Sequence, residues 1–73
     1  MSVHHPIAPS WICRGCGDEW PCPTRRRELL AEYHRARVSL AVYLAGKLVE
    51  AAADLTHVPA GRLHARIVGW TRG

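Results

Sequence analysis

The chain has 73 residues, with ten Lys and Arg against six Asp and Glu, five His and a formal net charge of +4. That length allows one domain and excludes a large self-sufficient core, so a staple, an ion or a partner is expected to make up the deficit. An isoelectric point near 9.5 permits contact with nucleic acid or with an acidic protein face and by itself specifies neither.

Residues 1–12 read as an extended arm, because Pro6 and Pro9 fix φ and turn Ile7, Ala8 and Ser10 away from helix. The first nine residues hold two histidines and two prolines and lack the apolar stretch of a signal peptide, so no targeting segment is expected. Positions 13–22 follow as Cys-Arg-Gly-Cys-Gly-Asp-Glu-Trp-Pro-Cys, which contains every cysteine of the chain. No set of disulfides can use all three, and a shared ion explains them better than pairing. Cys13-x-x-Cys16 followed by Gly17 has the form of a thiolate knuckle, in which the turn directs its amides toward the sulfurs and a residue without Cβ takes the positive φ. Trp11-Ile12-Cys13 and Trp20-Pro21-Cys22 repeat one pattern nine residues apart, which sets an indole beside each of two sulfurs. Thiols at metal spacing with one unpaired point to a reducing cytoplasm.

The pattern changes after Cys22. Pro23 or Thr24 supplies a helix start, with Cys22 at the cap if Pro23 is the first helical residue, and Leu29, Leu30, Tyr33, Val38, Leu40, Ala41, Leu44, Leu48, Ala51, Ala52 and Leu55 then recur at three- and four-residue steps. One amphipathic helix over 24–57 is predicted. Unbroken, it would be roughly 50 Å long against a domain diameter of roughly 30 Å, so either it bends near Ser39 or Gly46 or two chains pair along it. Residues 38–49 are apolar on nearly every side, with Val42, Tyr43 and Val49 off the main stripe, more than a short second helix can cover. A homodimer or another protein partner is expected there. Ser39, Gly46 and Lys47 interrupt this run, which falls well short of the ~20 residues of a membrane span. His57-Val58-Pro59 ends the helix, and Pro59 opens a second over 59–71 with Leu63, Ile67 and Trp70 on one face. The fold class is all-α in one domain: an irregular N-terminal metal-binding loop (1–23), a long amphipathic helix (24–57) and a short C-terminal helix (59–71) packed back on it.

A structural zinc takes four ligands, so Cys13, Cys16 and Cys22 leave one position to fill. His34 would lie roughly 18 Å along the helix from its start, far outside a ~2 Å zinc–nitrogen bond. His4 and His5 sit on an arm that can fold back; His4 is the choice and His5 the next. His57 and His64 would have to arrive through tertiary folding. Arg25, Arg26 and Arg27 oppose the dipole of the helix they begin, a cost that nearby thiolates or a bound phosphate would offset. With Arg35 and Arg37 they form a basic face that nucleic acid could use, although no recognition-helix pattern or stacking platform accompanies it. An enzyme is not expected: the Cys-x-x-Cys pair lacks the βαβ scaffold of a disulfide oxidoreductase, no glycine-rich phosphate loop follows a strand, and Asp18 and Glu19 are the only acids near the cysteines.

His4 to Cys22, with Leu29-Leu30-Ala31-Glu32-Tyr33 and Gly69-Trp70, resemble a group of small actinobacterial proteins. These carry a His-x-Pro arm, a Trp-x-Cys-x-x-Cys-Gly-x-x-Trp-Pro-Cys zinc-type loop, a Leu-Leu-x-Glu-Tyr helix start and a late Gly-Trp. The resemblance implies His4 as a ligand through its matching arm position. Proteins of the group are often named flavin reductases, yet the residues here offer no flavin or nicotinamide site. Cys13-x-x-Cys16-x5-Cys22 is also similar to part of the WhiB-like iron-sulfur regulators, which would imply a [4Fe-4S] cluster, redox or gas sensing and contact with a sigma factor. The chain lacks that family's upstream fourth cysteine, and Val68-Gly69-Trp70-Thr71 differs from its Gly-[Ile/Val]-Trp-Gly-Gly turn.

The sequence therefore predicts a non-enzymatic, cytoplasmic zinc-binding module with a regulatory or protein-interaction role, its metal held by Cys13, Cys16, Cys22 and His4. Its alternatives are an iron-sulfur sensor and a nucleic-acid-binding zinc finger.

Overall fold

The computed structural model describes residues 3–72. Two short strands, β1 (Pro6–Ile7) and β2 (Ile12–Cys13), pair antiparallel with Pro6 opposite Cys13 and Ile7 opposite Ile12. On its other edge β2 bridges back to the loop, Ile12 opposite Glu19, with the Cys13 amide donating to the Asp18 carbonyl and the Trp20 amide to that of Trp11. The N-terminal arm is thus not merely extended: it folds onto the loop as a small hairpin. Trp11 turns this hairpin at φ 60°, a left-handed backbone seldom taken by a bulky residue.

Three helices follow: α1 (Pro23–Glu32), α2 (Arg37–Asp54) and α3 (Ala60–Ile67), with a last 3₁₀ turn at Gly69–Arg72. The start of α1 is the one expected. Pro23 opens it, where its missing N–H costs nothing, and Cys22 is the extended cap residue whose Sγ accepts from the Arg25 amide at 3.4 Å.

The single helix expected over 24–57 is two helices. It breaks at residues 33–36, neither at Ser39 nor at Gly46, where Arg35 takes φ 67° and the Ala36 amide bonds to the Tyr33 carbonyl at 2.8 Å. The molecule is 34 Å in its longest dimension, so an unbroken rod of roughly 50 Å would protrude and leave its apolar stripe uncovered. Turning at 33–36 brings Tyr33 against Tyr43, ring centroids 5.9 Å apart, and gathers Leu29, Leu40 and Leu44 into one core. The second helix also closes early, at Asp54, three residues short of the predicted His57.

Pro59 is the residue before α3, and Leu63 and Ile67 are buried on the face packed against α2 as expected. Trp70 reaches the same core from the 3₁₀ turn instead of from a longer helix. The core runs continuously from Trp11, Cys13, Trp20 and Cys22 through Leu29 and Leu44 to Ile67, so the loop and the helices share one interior. Among the described residues no helix is long and apolar enough to cross a membrane.

Candidate metal centre

The loop brings four potential ligands to one point. His4, Cys13, Cys16 and Cys22 place one ligand atom each within 4.8 Å of all the others. His4 Nδ1 lies 3.3 Å from Cys13 Sγ and 3.3 Å from Cys22 Sγ. A tetrahedral zinc, with bonds of about 2.3 Å to sulfur and about 2.0 Å to nitrogen, needs ligand atoms roughly 3.5 to 3.8 Å apart. The donor set therefore fits one such ion with shifts of a few tenths of an ångström at the two histidine–sulfur pairs and of up to about 1 Å elsewhere. None of the three cysteines forms a disulfide.

Each ligand has its own support. Cys13 comes from β2 and Cys16 from the turn after it, closed by the Gly17 amide donating to the Cys13 carbonyl at 2.9 Å, with Gly17 at φ 80° as the knuckle requires. Cys22 is the α1 cap, so its sulfur already faces the amides of the first helical turn. His4 is held by its main chain: the Trp20 indole N–H donates to its carbonyl at 3.1 Å. The neighbouring His5 carbonyl accepts from the Arg14 amide at 2.9 Å. His5, His34, His57 and His64 are exposed and stand outside the group.

The environment separates the thiols. Burial alone would raise the Cys13 pKa, but the Cys16 amide, the His4 ring and the Gly15 amide outweigh it and bring it from 9.0 down to about 7. At Cys16 the Asp18 amide favours the thiolate, while partial desolvation and the sulfurs of Cys13 and Cys22 disfavour it more, and the thiol is pushed up to about 11. A cation among them would offset that mutual repulsion and deprotonate all three.

Trp11 and Trp20 are 4 % and 1 % exposed, meet edge to face at 5.7 Å, and bury Cys13 and Cys22 in the common core, while Cys16 faces solvent.

Sequence reasoning missed the residues that fasten this loop to the helices. Asp54, at the end of α2, accepts from the Trp11 indole N–H at 2.7 Å. Arg66 of α3 donates to the Trp20 carbonyl at 3.0 Å and to the Trp11 carbonyl at 2.6 Å, and its guanidinium lies 3.6 Å from Glu19. Both are more than 40 positions from their partners, and no local pattern announces such a pairing. A third is Gly15, on which an added Cβ would come 3.0 Å from His4 Nδ1.

The basic turn of α1 is largely spent inside the fold. Arg25 pairs with Glu28 and Glu32, each at 3.4 Å. Arg26 donates to the Pro21 carbonyl at 2.9 Å and stacks 5.6 Å over Trp70. Arg27, Arg35 and Arg37 are the exposed members of the predicted basic face. Comparison with family models, with curated proteins and with solved structures finds no match to this chain.

Proposed function

We propose that the chain is a non-enzymatic module stapled by a structural zinc ion, held by Cys13, Cys16, Cys22 and His4, whose helical body serves as a protein-interaction surface in a reducing, cytoplasmic setting. The observation that carries the metal reading is the convergence of the four ligand atoms within 4.8 Å. The convergence on one point favours a single ion over an iron-sulfur cube, in which each thiolate binds a different iron. When bound, zinc would supply cross-linking and charge neutralisation; this chain's residues do the rest. Gly17 closes the knuckle, Trp20 holds the His4 main chain, and Trp11 with Trp20 keeps water from the two buried sulfurs.

The interaction half is supported by the helices, which leave Leu30, Val38, Val42 and Val49 exposed to solvent. The commitment of Arg25 and Arg26 to contacts within the chain favours a protein partner over nucleic acid.

Elemental analysis of anaerobically purified protein tests the metal. One zinc per chain is expected, lost in Cys16→Ser and retained in His34→Ala. A brown protein with visible charge-transfer absorbance and bound iron would overturn zinc in favour of the sensor reading.

A further inference from the structure

Among the described residues the outward face of α2 has no partner. Val38, Val42 and Val49 are 79 %, 68 % and 71 % exposed, and Ala45, Gly46 and Ala53 beside them are exposed too. At 3.6 residues per turn these six lie within an arc of about 100° along four turns of helix. The charged residues of the helix stand away from this arc. Lys47 pairs with Glu50 at 3.4 Å, Asp54 holds the Trp11 indole, and Arg37 lies toward the opposite side. A contiguous apolar strip without charge is the mark of a surface that is covered in use.

The pattern on the strip identifies what covers it. Read outward from the midpoint between Ala45 and Gly46, it is nearly the same in both directions: Ala and Gly, then Val42 and Val49, then Val38 and Ala53. A two-fold axis through that midpoint sets Val42 of one chain against Val49 of the other, twice, with the smallest residues at the crossing. Among the described residues nothing lies within 4 Å of where a Gly46 Cβ would be, so a second backbone can come close there. Such self-complementarity is what an isologous interface requires. The ends agree. Arg35 and Arg37 stand at the N-terminal end of α2 and Glu50 and Asp54 near its C-terminal end, the reverse of what the helix dipole prefers. With these charges off the strip, an antiparallel pair still brings each basic end nearer the partner's acidic end, whereas a parallel pair would bring like charges nearer one another.

We infer that the chain forms an antiparallel two-fold homodimer through the outward face of α2, centred on Ala45 and Gly46. This deepens the interaction half of the proposed function and is independent of the metal, so zinc content is measured on each sample alongside the mass. Sedimentation equilibrium of the zinc-loaded full chain at micromolar concentration should give twice the 8.1 kDa of one chain. Val42→Glu and Val49→Lys, both on exposed positions, should each halve that mass with unchanged helical circular dichroism and zinc content. Combined in one chain they should restore the dimer. In the antiparallel register the carboxylate introduced at position 42 would face the ammonium introduced at position 49 of the other copy, while within a chain the two sites are about 10 Å apart along the axis. A monomeric zinc-loaded wild type, a single variant that stays dimeric, or a double variant that stays monomeric would each overturn the inference. In all three cases the zinc reading would stand.

Discussion

A methyl group on Gly15 would sit 3.0 Å from His4 Nδ1, 3.1 Å from its Cε1 and 3.2 Å from Val3 Cγ2. The atom crowded most is the nitrogen that meets Cys13 and Cys22, so Gly15→Ala should displace the histidine while leaving the cysteine knuckle in place. Zinc affinity is expected to fall on the order of tenfold, as when a residue supporting a metal ligand is lost; competition against a chromophoric chelator measures it, and an unchanged constant would remove Gly15 from the site. The three cysteines are legible in the sequence because their chemistry and spacing are local. The fourth ligand is legible only as far as the arm, since His34 is carried off along the helix while spacing leaves His4 and His5 both open. Gly15 is not legible, because its demand comes from a side chain eleven positions away that only the folded arm brings overhead. Gly17, by contrast, answers to its own backbone, and a turn after a second cysteine is readable in place.

At the scale of elements, the break between α1 and α2 is set by Arg35 at φ 67°. An L side chain in the left-handed region costs about 1 to 2 kcal/mol, part of which glycine would return to the unfolded chain as entropy. Arg35→Gly is therefore expected to stabilise the metal-bound protein by about 0.5 to 1 kcal/mol, seen as a higher thermal midpoint. A lower one would mean that the side chain itself holds the turn. This break is invisible in the sequence for a physical reason. Ala31, Glu32, Tyr33, His34, Arg35 and Ala36 contain no proline or glycine, and their apolar spacing continues that of the flanking helices. Local propensity favours continuing, and only the packing made by folding back, Tyr33 on Tyr43 and Leu29 with Leu40 and Leu44, decides against it. The α1 start is the opposite case: Cys22 and Pro23 carry the cap in their own chemistry, and it lies where the sequence puts it.

Over the whole molecule, the loop and the helical body have no seam between them. Trp11, Trp20, Cys13 and Cys22 belong to the same interior as Leu29, Leu44 and Ile67, and the Trp11–Asp54 and Arg66 hydrogen bonds cross from the loop to α2 and α3. A zinc ion at the four ligands would therefore hold more than the first third of the chain. Without it, sulfurs that the ion would draw together repel once ionised, and the indoles lose the wall they pack on. Chelation is accordingly expected to lower the thermal midpoints read by tryptophan burial and by helical circular dichroism together, as one transition, both recovering on addition of zinc. Loss of the tryptophan signal with helicity intact would instead divide the molecule into a metal loop and an independent helical body. Acid should act in the same direction. Protons compete with the ion for three thiolates and an imidazole, so the thermal midpoint of the zinc form should fall as pH is lowered. In the metal-free chain Cys13 ionises at about 7 instead of its ordinary 9.0, a contribution to the folded state that is lost as pH falls from 9 through 7, while the raised Cys16 thiol takes stability away only above pH 9. The two effects share a sign, and their sizes separate in a melting series run with and without zinc: the zinc form should show the steeper acid loss, because it has four ligands to protonate where the free chain has one shifted thiol in that range. Equal slopes would mean that the ion adds nothing to the fold.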